Sequence, residues 1–226
     1  MQRFLDIVFS SLSLVLLGPF LIPVMIILRV TGEGEVFFVQ DRVGRGGESF
    51  SLYKFATMLK DSPNIGAGTL TMMNDPRVLP VGKFLRKTKI NELPQLLNIF
   101  FGDMSVIGPR PLTAETFGSY SSATQLIIKK VRPGLSGIGS IIFRGEEDIM
   151  YGATASVDFY CNVIAPYKGA LEEWFVANKS LYIYFMAIFT TVWVIVFSKT
   201  KVTWILFKGL PEPPEELKLA LNYAVK

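Results

Sequence analysis

The 226-residue chain contains no histidine and only one cysteine, Cys161. Without histidine there is no Ser–His triad, no imidazole general base and no His-ligated metal. A single cysteine excludes an internal disulfide framework and a multi-cysteine metal site. Cys161 has no basic neighbour to activate its thiol. Runs of Lys or Arg and zinc-finger spacings are also missing, so no nucleic-acid partner is expected. No internal repeat or low-complexity tract interrupts the chain. Any catalysis must draw on carboxylates, on Lys and Arg, and on a hard cation held by oxygens.

What is abundant is apolar. Half of the residues are hydrophobic, 19% are charged, and the formal net charge is +4. The mean hydropathy of +0.39 is high for a soluble domain, and the charge is high for a pure membrane bundle. Together they imply one soluble domain with membrane-inserted pieces. The basic excess suits contact with anionic lipid or phosphate.

Ile7–Leu28 is an uncharged run of 22 residues, and a spanning helix needs about 20. No small-residue cleavage site follows, which argues against a signal peptide. Pro19 and Pro23 lie inside it, each removing a helix hydrogen bond. A straight span and a re-entrant helix–break–helix both fit, and Arg3 and Arg29 flank the run without favouring one side.

Further on, Val36–Val39 and Phe50–Lys54 read as strands around the turn Gly44–Gly47. Ala67–Pro80 reads as loop, with Asn74–Asp75–Pro76 as a turn. Val81–Lys87 starts a short helix, and Asn91–Phe101 reads as an amphipathic one. Glu115–Lys130 is expected helical, Val131–Ser140 a loop, and Ser156–Phe175 a helix broken at Pro166. Leu181–Ser198 is an uncharged run of 18 residues, the lower limit for a span. Pro211, Pro213 and Pro214 make a linker to a short helix near Glu215–Tyr223.

The chemistry concentrates in Arg86–Leu112, RKTKINELPQLLNIFFGDMSVIGPRPL. Leu93, Leu96, Leu97, Phe100 and Phe101 fall on one helix face. Asn91 stands at the N-cap position, Glu92 in the first turn, and Gly102 at a natural stop. Pro94 is tolerated so early in a helix. A helix start favours a phosphate, Arg86, Lys87 and Lys89 precede it, and Glu92 could hold a divalent cation. Gly108–Pro109–Arg110–Pro111 is a stiff turn presenting one guanidinium, suited to bidentate phosphate contact. Ordinary capping and a surface ion pair would explain the same residues.

The stretches VFFVQDRVGRGGESFSLYKFATM (36–58), NDPRVLPVGKFLRKTKINELPQLLNIFFGDMSVIGPRPL (74–112) and VRPGLSGIGSI (131–141) resemble the bacterial sugar transferase family, the monotopic phosphoglycosyl transferases. Residues 171–196 are similar to the tail of that domain. The resemblance implies an α/β fold, mostly α with a small sheet. It implies a re-entrant N-terminal membrane helix (1–30) broken at Pro23 and a cytosolic catalytic domain with interfacial amphipathic helices (31–200), leaving 201–226 as a C-terminal tail. It implies a bacterial inner-membrane location, and transfer of a phosphosugar from a UDP-sugar to undecaprenyl phosphate with Mg2+ and release of UMP. It leaves a homodimer open.

By motif match Glu92 is the metal ligand, and Arg86 and Arg110 are phosphate ligands. Lys54, Asp75 and Arg77 are second-rank binding residues, and Arg132 and Arg144 line the nucleotide or lipid side. For Asp75 a turn cap before Pro76 is an equal reading.

The chain departs from the family at two places. The family nucleophile is an Asp, and here the position is Asn91, whose amide cannot form an acyl phosphate. Ala56 stands where the family's KFRTM stretch has an arginine. Three readings of Asn91 follow. It is a working variant, attacking directly or through another carboxylate such as Asp103; an engineered substitution that traps substrate; or the mark of a member that binds nucleotide sugar without turnover. Hydropathy alone would also allow a two-span membrane protein unrelated to sugars.

Overall fold

A computed structural model describes residues 1–65, 75–144, 157–197 and 200–223. The chain divides into two units. One holds Phe4–Asp41 and Ser51–Gly102. The other holds Met1–Arg3, Arg42–Phe50 and everything from Asp103.

The first unit opens with α1, Gln2–Val30, which runs without interruption through Pro19 and Pro23. At 1.5 Å per residue its 29 residues reach about 43 Å, more than a ~30 Å hydrocarbon core. Most of its apolar side chains face outward, among them Leu16 and Phe20. Its last turns differ. Leu21, Val24, Met25 and Leu28, spaced i, i+3, i+4 and i+7, pack on Phe55, Leu85, Val36 and Val81. The C-terminal end of α1 is therefore seated in this unit's core, and most of the rest of its length leaves apolar surface uncovered.

β1 (Phe37–Val43) and β2 (Ser49–Phe55) pair as expected. Gly46 and Gly47 take positive φ in the connecting turn, where a side chain would be strained. α2 (Pro80–Lys87) follows as expected. Its Gly82 lies so near β2's exit that a Cβ would stand 2.1 Å from the Thr57 carbonyl oxygen.

The expected helix Asn91–Phe101 begins later. Ile90–Glu92 is a 3-10 turn entered through left-handed Lys89, and α3 spans Gln95–Phe101 with Pro94 at its N-cap. Pro94 has no N–H, and its ring conflicts with the carbonyl four residues back. The chain closes a tight turn first, Leu93 N–H to Ile90 O at 3.1 Å, and then restarts. Asn91 therefore caps no helix, and seven residues are too few for the phosphate-binding helix start the sequence suggested. Gly102 ends α3 in the left-handed conformation, as expected.

The apolar face is also displaced. Gln95, Leu96, Asn98 and Ile99 are buried, while Phe101 is 69% exposed and Phe100 is exposed beside it. The cause is Asn98. Its amide accepts from Tyr53 N–H at 3.0 Å and donates to Ser51 O at 2.8 Å, pairing with the free edge of β2. That turns the Asn98 side of α3 inward.

The second unit is built on a short parallel pair. β3 (Ser105–Ile107) leads through α4 (Ala114–Gly118) and α5 (Ser122–Ile128) to β4 (Gly134–Ser136). The helix expected over Glu115–Lys130 is split in two because Ser121 Oγ caps a new start at Thr124 N–H. The expected loop Val131–Ser140 contains β4 and the start of α6 (Ile138–Ile142).

A turn at Val157–Phe159 and a π-helical stretch Tyr160–Ile164 lead into α7 (Ala165–Ala177). Pro166 does not break this helix. The widened π turn before it absorbs the missing N–H. α8 (Leu181–Val196) has 16 residues, about 24 Å, short of a span. Ile183, Ala187, Thr190 and Val194 form its buried stripe, while Phe185, Phe189, Val192 and Ile195 stay exposed. α9 (Val202–Leu206) and α10 (Glu215–Lys218) close the fold. Tyr167 OH donates to Pro211 O, Trp204 Nε1 donates to Leu221 O, and Phe207 and Leu217 are buried. Residues 202–223 are thus packed structure.

Candidate active site

The first unit gathers Lys54, Arg86, Asn91 and Glu92. Arg86 sits in the last turn of α2. Its carbonyl accepts from Lys89 N–H at 3.1 Å, and the Lys89 carbonyl accepts from Glu92 N–H at 3.1 Å. Two consecutive tight turns thus fix Arg86 relative to Glu92. Lys54, at the end of β2, places Nζ 3.4 Å from Glu92 Oε1, with side chains 20% and 19% exposed. At 3.4 Å this is a long, part-buried contact, weaker than a close ion pair.

Asn91 is buried, and its Oδ1 has no hydrogen-bond partner among the described residues. A buried, unpaired amide oxygen is costly and calls for a partner such as an ion or a water. Asn91 and Glu92 together offer oxygen donors in sequence, although the described residues hold no cluster of three or more His, Cys, Asp or Glu. One or two carboxylates completed by substrate phosphates is how Mg2+ is commonly held, so these residues fit that ion.

Asp75 and Arg77 lie in the same unit but behave differently. Each is 4% exposed. Asp75 Oδ2 receives Arg77 Nη2 at 2.5 Å and Oδ1 receives Nε at 2.8 Å, while Nη1 donates to Ser62 O and Ile65 O, both at 2.7 Å. They clamp a loop. The Asp75 carboxylate also accepts from the Arg77 N–H at 3.0 Å, which agrees with the turn-cap reading. Asn74 and the rest of the expected loop up to that point lie outside the described residues. Ala56 is buried, its N–H bonded to Val36 O at 3.0 Å.

The second unit carries Arg110, Arg132 and Arg144. Arg110 and Arg144 are exposed, and Arg132 is half-buried. Gly108 N–H donates to Ser136 O at 2.9 Å and Gly134 N–H to Pro109 O at 2.7 Å. Cβ atoms at Gly134 and Gly137 would stand 2.1 and 2.0 Å from Gly108 backbone atoms. The glycines of VRPGLSG therefore exist to let two backbones touch, which locks the Arg110 turn in place.

Two residues that sequence reasoning missed stand out. Asn98, described above, is signalled only by an amide inside an apolar run. Glu172, on α7, is buried, and its Oε2 has no hydrogen-bond partner among the described residues. Burial pushes its carboxyl up to about 8, against the opposing pull of the Arg110 backbone hydrogen bond and the charges of Lys168 and Arg110. Nothing in GALEEWFV distinguishes Glu172 from Glu173, whose carboxylate accepts from Thr124 Oγ1.

The profile of the bacterial sugar transferase family matches residues 1–198. The chain belongs to the bacterial sugar transferase family. Among its relatives is the exopolysaccharide production protein ExoY of Rhizobium meliloti (strain 1021), 34% identical, the match covering 70% of this chain and 74% of the relative. The UDP-glucose:undecaprenyl-phosphate glucose-1-phosphate transferase of Klebsiella pneumoniae is 39% identical over 66% of this chain and 32% of its own length. The UDP-N-acetylgalactosamine-undecaprenyl-phosphate N-acetylgalactosaminephosphotransferase of Aeromonas hydrophila is 35% identical over 62% and 34%. The chain thus aligns with most of the first relative and about a third of the other two. α1 is long and apolar enough to cross a membrane, and the chain carries the helical fold with small sheets that the resemblance implied.

Proposed function

We propose that this chain transfers a phosphosugar from a UDP-sugar to undecaprenyl phosphate, releasing UMP, at the cytoplasmic face of the bacterial inner membrane, as an early step of surface glycan assembly. The bond between the α- and β-phosphates breaks, and a new P–O bond forms between the β-phosphorus and the lipid phosphate. The observation that carries this reading is the turn Arg86–Glu92, where the Glu92 carboxylate lies 3.4 Å from Lys54 Nζ and the buried Asn91 Oδ1 has no hydrogen-bond partner among the described residues. Mg2+ held by Glu92 would neutralise phosphate charge. Arg86 and Lys54 bind and orient the diphosphate, and Arg110, Arg132 and Arg144 supply further phosphate contacts. Asp75 and Arg77 hold the loop rather than the substrate.

The membrane reading goes with it. α1 enters the bilayer, and a return to the same side requires a bend at Pro23, where the helix here runs on without interruption. The exposed apolar side chains of α8, and separately Phe84, Phe100 and Phe101, suit contact with lipid. Cysteines placed at the two ends of α1 label from the same side if this holds, and from opposite sides if α1 spans.

The relatives carry names for different sugars, so the sugar is left open. Asn91 supports a second reading, in which the chain binds nucleotide sugar without turnover, because an amide cannot form the covalent intermediate that an Asp provides in the family. UMP release measured with a panel of UDP-sugars, polyprenyl phosphate and Mg2+, in this chain and in Asn91→Asp, separates the two. Turnover by both supports direct attack by the lipid phosphate. Turnover by Asn91→Asp alone supports the binding reading for this chain.

A further inference from the structure

The buried acid on α7 has no place in the reaction just described, yet the fold makes room for it. A Cβ at Gly139, in the first turn of α6, would stand 2.5 Å from Glu172 Oε1. A side chain there would push the carboxyl off this position. Oε2 is left without a hydrogen-bond partner among the described residues, so the group is not kept for a saturated polar network. What it does accept is the backbone N–H of Arg110. The charged groups acting on it are Lys168 and Arg110. Lys168 is buried, its Nζ held 5.0 Å from the centre of the Phe143 ring and 5.7 Å from that of Tyr160. α6, Ile138–Ile142, brings no titratable side chain.

A buried carboxyl is costly unless it satisfies a donor that would otherwise be orphaned. The donor here is the one backbone N–H between Pro109 and Pro111, two residues that offer none themselves. On its other side the same turn is tied to β4 through Gly108 and Pro109. The Arg110 backbone is thus gripped from two sides, and its side chain is exposed.

We propose that Glu172 is a positioning residue for Arg110: its buried carboxyl takes the Arg110 backbone N–H and so sets where the guanidinium meets a substrate phosphate. This rests on the phosphate role given to Arg110 above. That phosphate belongs either to the UDP-sugar or to the polyprenyl phosphate, and Arg110→Ala tells which.

The test is equilibrium binding by the full chain in lipid nanodiscs, titrated separately with UDP-sugar and with polyprenyl phosphate, so that no turnover is required. Arg110→Ala weakens one of the two ligands by about tenfold, the scale of a charge-assisted phosphate contact. Glu172→Ala weakens the same ligand by a similar factor and leaves the other unchanged. Glu172→Gln, which keeps an acceptor oxygen, stays within about threefold of the parent. Adding Glu172→Ala to Arg110→Ala costs nothing more, since one residue acts through the other. If Glu172→Ala does not fold, Gly139→Ala carries the test by pressing on Oε1, with the same selective loss expected. Arg110-dependent binding that is indifferent to Glu172→Ala or Gly139→Ala overturns the inference alone. Equal weakening of both ligands, or a full further loss in the Arg110→Ala background, overturns it in favour of a general packing role. Binding of neither ligand depending on Arg110 overturns the phosphate reading and the inference with it.

Discussion

Two acid–base pairs in the first unit carry the same charges and have opposite characters. Asp75–Arg77 is a 2.5 Å pair with both side chains nearly inaccessible and its donors used on loop carbonyls. Lys54–Glu92 is a 3.4 Å pair with side chains 20% and 19% exposed, and the neighbouring Asn91 has a buried amide oxygen with no partner among the described residues. The difference is one of distance and burial. A saturated, buried pair fixes structure, and removing one member strands a charge. A longer pair, with side chains 20% and 19% exposed, contributes less to stability.

The sharpest way to break this contrast is Glu92→Gln. In whichever form turns over, this chain or Asn91→Asp, UMP release should fall by about 10²–10³-fold, while the melting temperature barely moves. A large loss of melting temperature would place Glu92 with the structural pair. Asp75→Ala should do the reverse. It leaves Arg77 buried and uncompensated, and the melting temperature should drop by roughly 10 °C, seen by circular dichroism in detergent. A protein that melts like the parent would place Asp75 among the ligands after all.

Glu172 extends the comparison to a buried acid whose Oε2 finds no partner among the described residues. Its carboxyl titrates near 8 when folded and near 4.5 when unfolded. The folded state binds the proton more tightly, so stability is fully present below about pH 4.5 and is lost as pH rises through about 8. A tenfold difference in proton affinity between the two states is worth about 1.4 kcal/mol, and relaxation of the buried site should reduce the total to about 2–3 kcal/mol. Denaturant midpoints from pH 5 to 9 should decline in the parent and decline less in Glu172→Gln. Equal slopes would remove Glu172 as the cause. The smallest expected effect is that of Lys54→Met on stability, within about 1 kcal/mol, with UDP-sugar binding weakened.

What is legible in the sequence follows the same division. The hairpin, α2 and the Gly102 stop are readable, because turn glycines and short alternating runs are local signals. The start of α3 is not, because Pro94 looks tolerable in a first turn when it sets the turn's end. The buried face of α3 is hidden because Asn98, a polar residue, is what docks on β2. Period counting assigns only apolar residues to the inside. β4 is hidden because VRPGLSG looks like a loop, and its glycines serve close backbone contact. Asp75 and Arg77 group with Lys54 and Glu92 because sequence shows charge and not burial. Glu172 is invisible, since its meaning depends on Gly139 and Arg110, each distant in sequence.

The central claim is phosphosugar transfer at the Asn91–Glu92 turn, and UMP release tests it most directly. Supplied with polyprenyl phosphate, Mg2+ and a panel of UDP-sugars, Asn91→Asp should release UMP with at least one sugar and lose that release on Glu92→Gln. A folded Asn91→Asp protein that releases no UMP with any UDP-sugar would contradict the account.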